Sequence, residues 1–239
     1  MTSQNMVANI RAELAANADP QAKASLDRVF KENVISHGMK TAVANQIAKR
    51  YIAQAKKDGL SKSEIYAICN ELWASGYQEE AMVACLFSES QRKAYASEDL
   101  LVFEGWLNDY VDNWAKCDTL CNHTVGDLLM VYPELAEHLL VWATSENRWV
   151  KRAAAVSLIV PARKGYFLPL VFQIADILLV DPDDLVQKGY GWMLKAAAEA
   201  HQQEVFDYVM SNKACMPRTA LRYAIEKMPA ELKAAAMAR

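Results

Sequence analysis

Helix starts and stops recur along this chain with little between them, and that punctuation restricts its fold more than any other feature. Asp19-Pro20 reads as an N-cap followed by a first-turn proline, and Ser61-Lys62-Ser63-Glu64 as a capping box, in which serine and glutamate satisfy each other's free amide groups. Ser36-His37-Gly38, Asp58-Gly59 and Gly76 end helical stretches, while Pro133, Pro182, Pro217 and Pro229 open later ones. In the first half the pattern predicts helices over about 19–33, 41–57, 61–75, 78–87, 97–108 and 110–122, after a short helix or partly ordered arm up to Asn17. In the second half it predicts them over about 125–130, 133–144, 147–160, 166–179, 182–200, 203–211, 217–227 and 229–237. Most breaks are short enough to send each helix back antiparallel to the one before it. With only 8 Gly and 7 Pro in 239 residues, and Ala, Leu, Lys, Glu and Met prominent, the expected class is all-α. No stretch reads as a linker, so residues 1–239 are expected to form a single domain.

A weak internal period accompanies the helices. Trp149-Val-Lys-Arg-Ala-Ala-Ala superposes on Trp192-Met-Leu-Lys-Ala-Ala-Ala at an offset of 43, and Trp114 precedes Trp149 by 35. Two-helix HEAT units repeat about every 40 to 47 residues and stack into a curved solenoid with a concave surface. An irregular bundle without a groove is the alternative.

Several classes drop out on composition. No run of 18 apolar residues is present, the mean hydropathy is near zero, and Met-Thr-Ser-Gln-Asn lacks the basic and apolar parts of a signal peptide. A cytoplasmic, membrane-free protein is the expectation. Five cysteines, an odd number without an export signal, suit reduced buried thiols better than disulfides. Cys117, Cys121 and His123 lack a second pair at zinc-site spacing, so no metal is expected.

A net charge of -3 argues against a polyanionic partner only if acids and bases are mixed. Three windows contain bases and no acid: Asn33 to Lys57, Asn147 to Ala175 with Arg148, Lys151, Arg152, Arg163 and Lys164, and Tyr208 to Ile225 with Lys213, Arg218 and Arg222. Solvated helix faces or a basic surface both fit such windows.

Three helices carry residues on the wrong face. At about 100° per residue, Val111, Trp114, Cys117, Asp118 and Cys121 share one side, with Ala115, Lys116 and Thr119 on the side suited to solvent. A carboxylate on that apolar stripe needs a partner or a task. Arg152 lies likewise among Trp149, Ala153, Val156 and Val160. Either Asp118 and Arg152 pair, or both stripes end at a groove. In the next such helix the apolar stripe is Val186, Tyr190, Leu194 and Ala197, while Trp192 lies opposite with Lys188, Lys195 and Glu199. That suits a stacking platform on a cationic surface or a subunit interface.

At these residues the chain resembles the AlkD-like DNA alkylation repair glycosylases, which are built from HEAT-like repeats. The resemblance rests on Asn113-Trp114-x-x-x-Asp118, Trp149-x-x-Arg152-Ala-Ala and Lys188-Gly-Tyr-Gly191-Trp192-x-Leu-Lys195, in that order, with Val29-Phe30-Lys31 and His37-Gly38 matching more loosely. It implies a concave DNA-binding groove and a monomeric, monofunctional enzyme that removes cationic N3- and N7-alkylpurines from double-stranded DNA, without cofactor or metal. Asp118 would be the catalytic carboxylate, Trp114 and Trp192 would contact the lesion deoxyribose, and Arg152 would hold the backbone. Arg148, Lys151, Lys188 and Lys195 would add contacts to DNA, although Lys195 stands where an arginine is usual and loses its bidentate fork. The resemblance further implies that the lesion stays stacked instead of flipping. A non-excising DNA-binding member of the same fold and a protein-interaction scaffold are the competing expectations.

Overall fold

In the computed structural model, which describes residues 3–238, helix follows helix and no strand occurs among the described residues. The all-α class expected from the punctuation is therefore the class found. The chain divides into two compact units, Met1–Leu120 and Cys121–Arg239.

The first unit contains α1 (Ser3–Ala16), α2 (Pro20–Asp27), α3 (Thr41–Lys57), α4 (Lys62–Ala74), α5 (Gln78–Ser90), α6 (Asp99–Tyr110) and α7 (Trp114–Thr119). The opening stretch is a core helix and not an arm: Met6, Val7, Ile10 and Leu14 are at most 1% exposed and pack towards α3 and α4. Their spacing is that of a single helical face. Both capping signals form as read, with Asp19 accepting from the Gln21 amide and Ser61 and Glu64 closing a reciprocal box.

The helix predicted over 19–33 stops at Asp27, because tertiary hydrogen bonds pull the following segment off the helical path. The Gln78 amide donates to the Ile35 carbonyl at 2.8 Å, and the Asp19 amide to Gly38 O at 2.6 Å. The buried carboxylate of Glu79 accepts from Ser36 Oγ, His37 N and Gly38 N at 2.7, 2.9 and 3.0 Å. Gly38 is required twice over: its φ is +75°, and a Cβ there would lie 2.5 Å from Lys23 Cβ. The predicted helix over 110–122 is interrupted as well. Tyr110 ends α6, Asn113 caps α7, and Leu120–Val125 forms a π turn.

The second unit contains α8 (Gly126–Val131), α9 (His138–Ala143), α10 (Arg148–Val156), α11 (Ile159–Arg163), α12 (Leu168–Leu178), α13 (Asp184–Ala197), α14 (Gln202–Asn212), α15 (Arg218–Ala224) and α16 (Ala230–Met237). The stretch predicted as one helix over 147–160 breaks after Val156, since Pro161 has no amide hydrogen for the Ser157 carbonyl. The predicted stripe of α13 is the buried one: Val186, Tyr190, Leu194 and Ala197 are at most 1% exposed. At Gly191 an added Cβ would lie 2.7 Å from Tyr223 Cβ and 2.8 Å from Ala220 O, so the glycine lets α15 come against α13.

Helix N-caps mark a different recurrence from the tryptophan superposition. Asn113, Asn147 and Asp183 cap α7, α10 and α13, at spacings of 34 and 36 residues. Trp149 and Trp192 are not equivalent: the first lies two residues after its cap and is buried, the second lies deep in its helix and is half-buried. The cysteines are free, with Cys69, Cys85, Cys117 and Cys121 buried.

Candidate functional site

Asn113 organises the start of α7. Its side-chain oxygen accepts the Ala115 and Lys116 amides, both at 3.0 Å, and its amide donates to Gln78 Oε1 at 2.9 Å and Asp112 Oδ1 at 2.8 Å. Asn113 is fully buried, and its bonds to Gln78 and to the Lys116 amide are protected from water. Trp114 is the first residue of the helix and Asp118 stands one turn later; both are half-buried. Cys117 and Cys121 pack at 0% exposure, as the apolar stripe requires.

Lys116 corrects the reading of the opposite face. It is not in solvent: its side chain is 1% exposed and Nζ donates to Gly76 O and Asp112 Oδ2, both at 2.9 Å. A buried ammonium survives because a carbonyl and a carboxylate take its hydrogens.

The Trp114 indole stacks on Phe30, with ring centroids 5.2 Å apart and planes 24° from parallel. Both rings border a cleft of about 350 Å³ whose walls include Leu26, Val29, Met39 and Met82. No motif pointed to Phe30 as a partner of Trp114, since they are far apart in sequence.

The other expected site residues lie in the second unit. Arg152 is 5% exposed, and its Nη1 donates to the Leu185 carbonyl. Its stem lies against Gly189, where a Cβ would be 3.2 Å from Arg152 Cγ. Gly189 thus admits the arginine against α13, a role that a glycine inside a helix pattern hints at. Trp192 is half-buried between buried Gly191 and Met193, and among the described residues its indole has neither a hydrogen bond nor a ring stack.

Four of the cations expected to contact DNA each meet an acid. Arg148 pairs with Asp183 at 2.7 Å and lies 4.8 Å over the Trp149 ring; Lys151 pairs with Asp181 at 2.5 Å. Lys188 reaches Asp184 at 3.0 Å, and Lys195 reaches Glu226 at 2.8 Å beside the Tyr223 ring. The hydrogen bond from Lys195 holds the Glu226 carboxyl below the usual carboxylate range. The window from Asn147 to Ala175 is therefore acid-free in sequence but not in space. The Lys195–Glu226 pair is exposed, and such pairs are worth about 0–1 kcal/mol; the other three are part-buried.

Among the described residues no group of three or more His, Cys, Asp or Glu is placed to hold a metal ion, and no helix is long and apolar enough to cross a membrane.

One unit bears a half-buried carboxylate one turn from an indole, the other a half-buried indole on a helix with two lysines, and both are all-α. The chain belongs to the DNA alkylation repair enzyme family, whose model matches residues 10–228. Membership supports a role in DNA alkylation repair. The fold is similar to that of a solved structure described as a predicted DNA alkylation repair enzyme from Enterococcus faecalis, with a TM-score of 0.80, 13% identity, and coverage of 90% of this chain and 98% of that one. At that identity the likeness speaks for the fold alone. No curated protein matches the chain.

Proposed function

We propose that this protein is a monofunctional DNA glycosylase that hydrolyses the N-glycosidic bond of N3- or N7-alkylated purines in duplex DNA. The observation that carries the reading is the placement of Trp114 and Asp118 one turn apart on a helix start pinned by buried Asn113, in a chain of the alkylation repair family.

A purine alkylated at N3 or N7 is already a cationic leaving group, so little general acid is required. Positive charge grows on the sugar as the bond breaks, and a fixed carboxylate stabilises it. Asp118 supplies that charge and orients the attacking water, while the face of Trp114 stabilises the same cation. Half-burial strengthens the effect: at about 4 Å a unit pair is worth about 1 kcal/mol in water and about 4 kcal/mol near a protein surface. That is the size of contribution a preorganised group makes, about 100- to 1000-fold in rate.

Arg152, Arg148, Lys151, Lys188 and Lys195 are proposed to hold the DNA backbone, the last four by exchanging their carboxylate partners for phosphates. The engagement of Lys116 Nζ by Gly76 and Asp112 supports hydrolysis without a lysine Schiff base. No cofactor enters this scheme.

Asp118→Asn tests the assignment. Single-turnover release of alkylpurine is expected to fall about 100- to 1000-fold with DNA affinity unchanged. Retention of release within a few-fold of wild type would remove Asp118 from the chemistry.

A further inference from the structure

We infer that Phe30 is a positioning residue that fixes the plane of the Trp114 indole; the inference rests on the glycosylase reading for what that indole does. The backbone of Trp114 is well held, because Asn113 caps α7 and bonds Gln78. The indole is held differently. Its ring contact among the described residues is the stack on Phe30 at 5.2 Å, and both rings border the apolar cleft of about 350 Å³. A cleft of that size beside a half-buried indole gives the ring somewhere to go, since a tryptophan has alternative side-chain rotamers of comparable energy. Phe30 fills the position that would otherwise leave this choice open.

The segment bearing Phe30 is itself tied down. It has left the helix after Asp27 and is anchored at its far end by Glu79, which accepts from Ser36, His37 and Gly38. The arrangement runs from buried Glu79, through an irregular segment, to a ring stacked on the proposed sugar contact. Because Phe30 is only half-buried on that segment, its replacement leaves the helical core intact.

The test uses full-length protein labelled with 5-fluorotryptophan, which gives six ring resonances for six Trp, with Trp114 assigned from Trp114→Phe. Phe30→Ala is expected to shift and broaden or split the Trp114 resonance alone, and to lower kcat about 10- to 100-fold, the range for a misplaced contact group, with KM little changed. Phe30→Tyr restores a single sharp line and the wild-type kcat; Phe30→Leu, which keeps bulk without the ring, restores neither. An unaltered Trp114 line in Phe30→Ala overturns the inference. So does an equal loss of kcat in Phe30→Tyr and Phe30→Ala. If wild type releases no base, the glycosylase reading fails, and the ring resonance still decides whether Phe30 fixes Trp114.

Discussion

Asp118 and Lys116 stand two residues apart on one short helix, and the sequence treats them unequally. Asp118 is legible because a charge on an apolar stripe conflicts with helical periodicity. Lys116 is not: periodicity assigns it to solvent, whereas the structure buries it against the Gly76 carbonyl and Asp112. That burial depends on a turn forty positions upstream, which no local pattern reports. The same holds for Lys195, whose partner Glu226 comes from beyond α15. This pair has a consequence in acid. The Glu226 carboxyl is held below its usual range by the hydrogen bond from Lys195, so the unfolded chain takes up its proton first. The stability contributed is complete above the unfolded value, about 4.3, and is lost as pH falls through the folded value. Thermal melts between about pH 3 and 6 should therefore show a shallower acid decline for Glu226→Gln than for wild type. Identical slopes would mean the pair is not formed in solution.

Helix starts were the most readable elements. The caps at Asp19 and Ser61 form as the sequence chemistry demands, and Val186, Tyr190, Leu194 and Ala197 are buried as their spacing predicts. Ser61→Ala should cost about 1 kcal/mol, read as a lower urea midpoint at unchanged m-value; a neutral effect would show that the box contributes nothing beyond its solvated alternative. Two of the misread elements share one cause. The helix after Asp19 ends early because Glu79 and Gln78 capture the segment around residues 35–38, and the break before α7 exists because buried Asn113 reaches Gln78. In both cases α5 supplies the competing bonds. A third break, after Val156, was open to inspection in Pro161 alone.

At the scale of the whole molecule, the acid-free windows admitted a basic surface despite a net charge of -3, and the structure qualifies that. Asp181, Asp183, Asp184 and Glu226 neutralise four of the cations expected on DNA. On the proposed function, DNA binding exchanges these ion pairs for phosphate contacts, and affinity should fall steeply with salt as counterions are released. A protein-interaction scaffold would lack that dependence. Family membership and the pinned Trp114–Asp118 helix leave the chemistry as the decisive question. The most direct measurement is to incubate purified wild-type protein with duplex DNA carrying N3- and N7-methylpurines and to quantify the base released and the abasic sites formed. The account predicts free methylpurine and an equal number of abasic sites, without strand cleavage. Tight, salt-sensitive binding of the same DNA with no base released would contradict it, and would mark the protein as a family member that binds without excising.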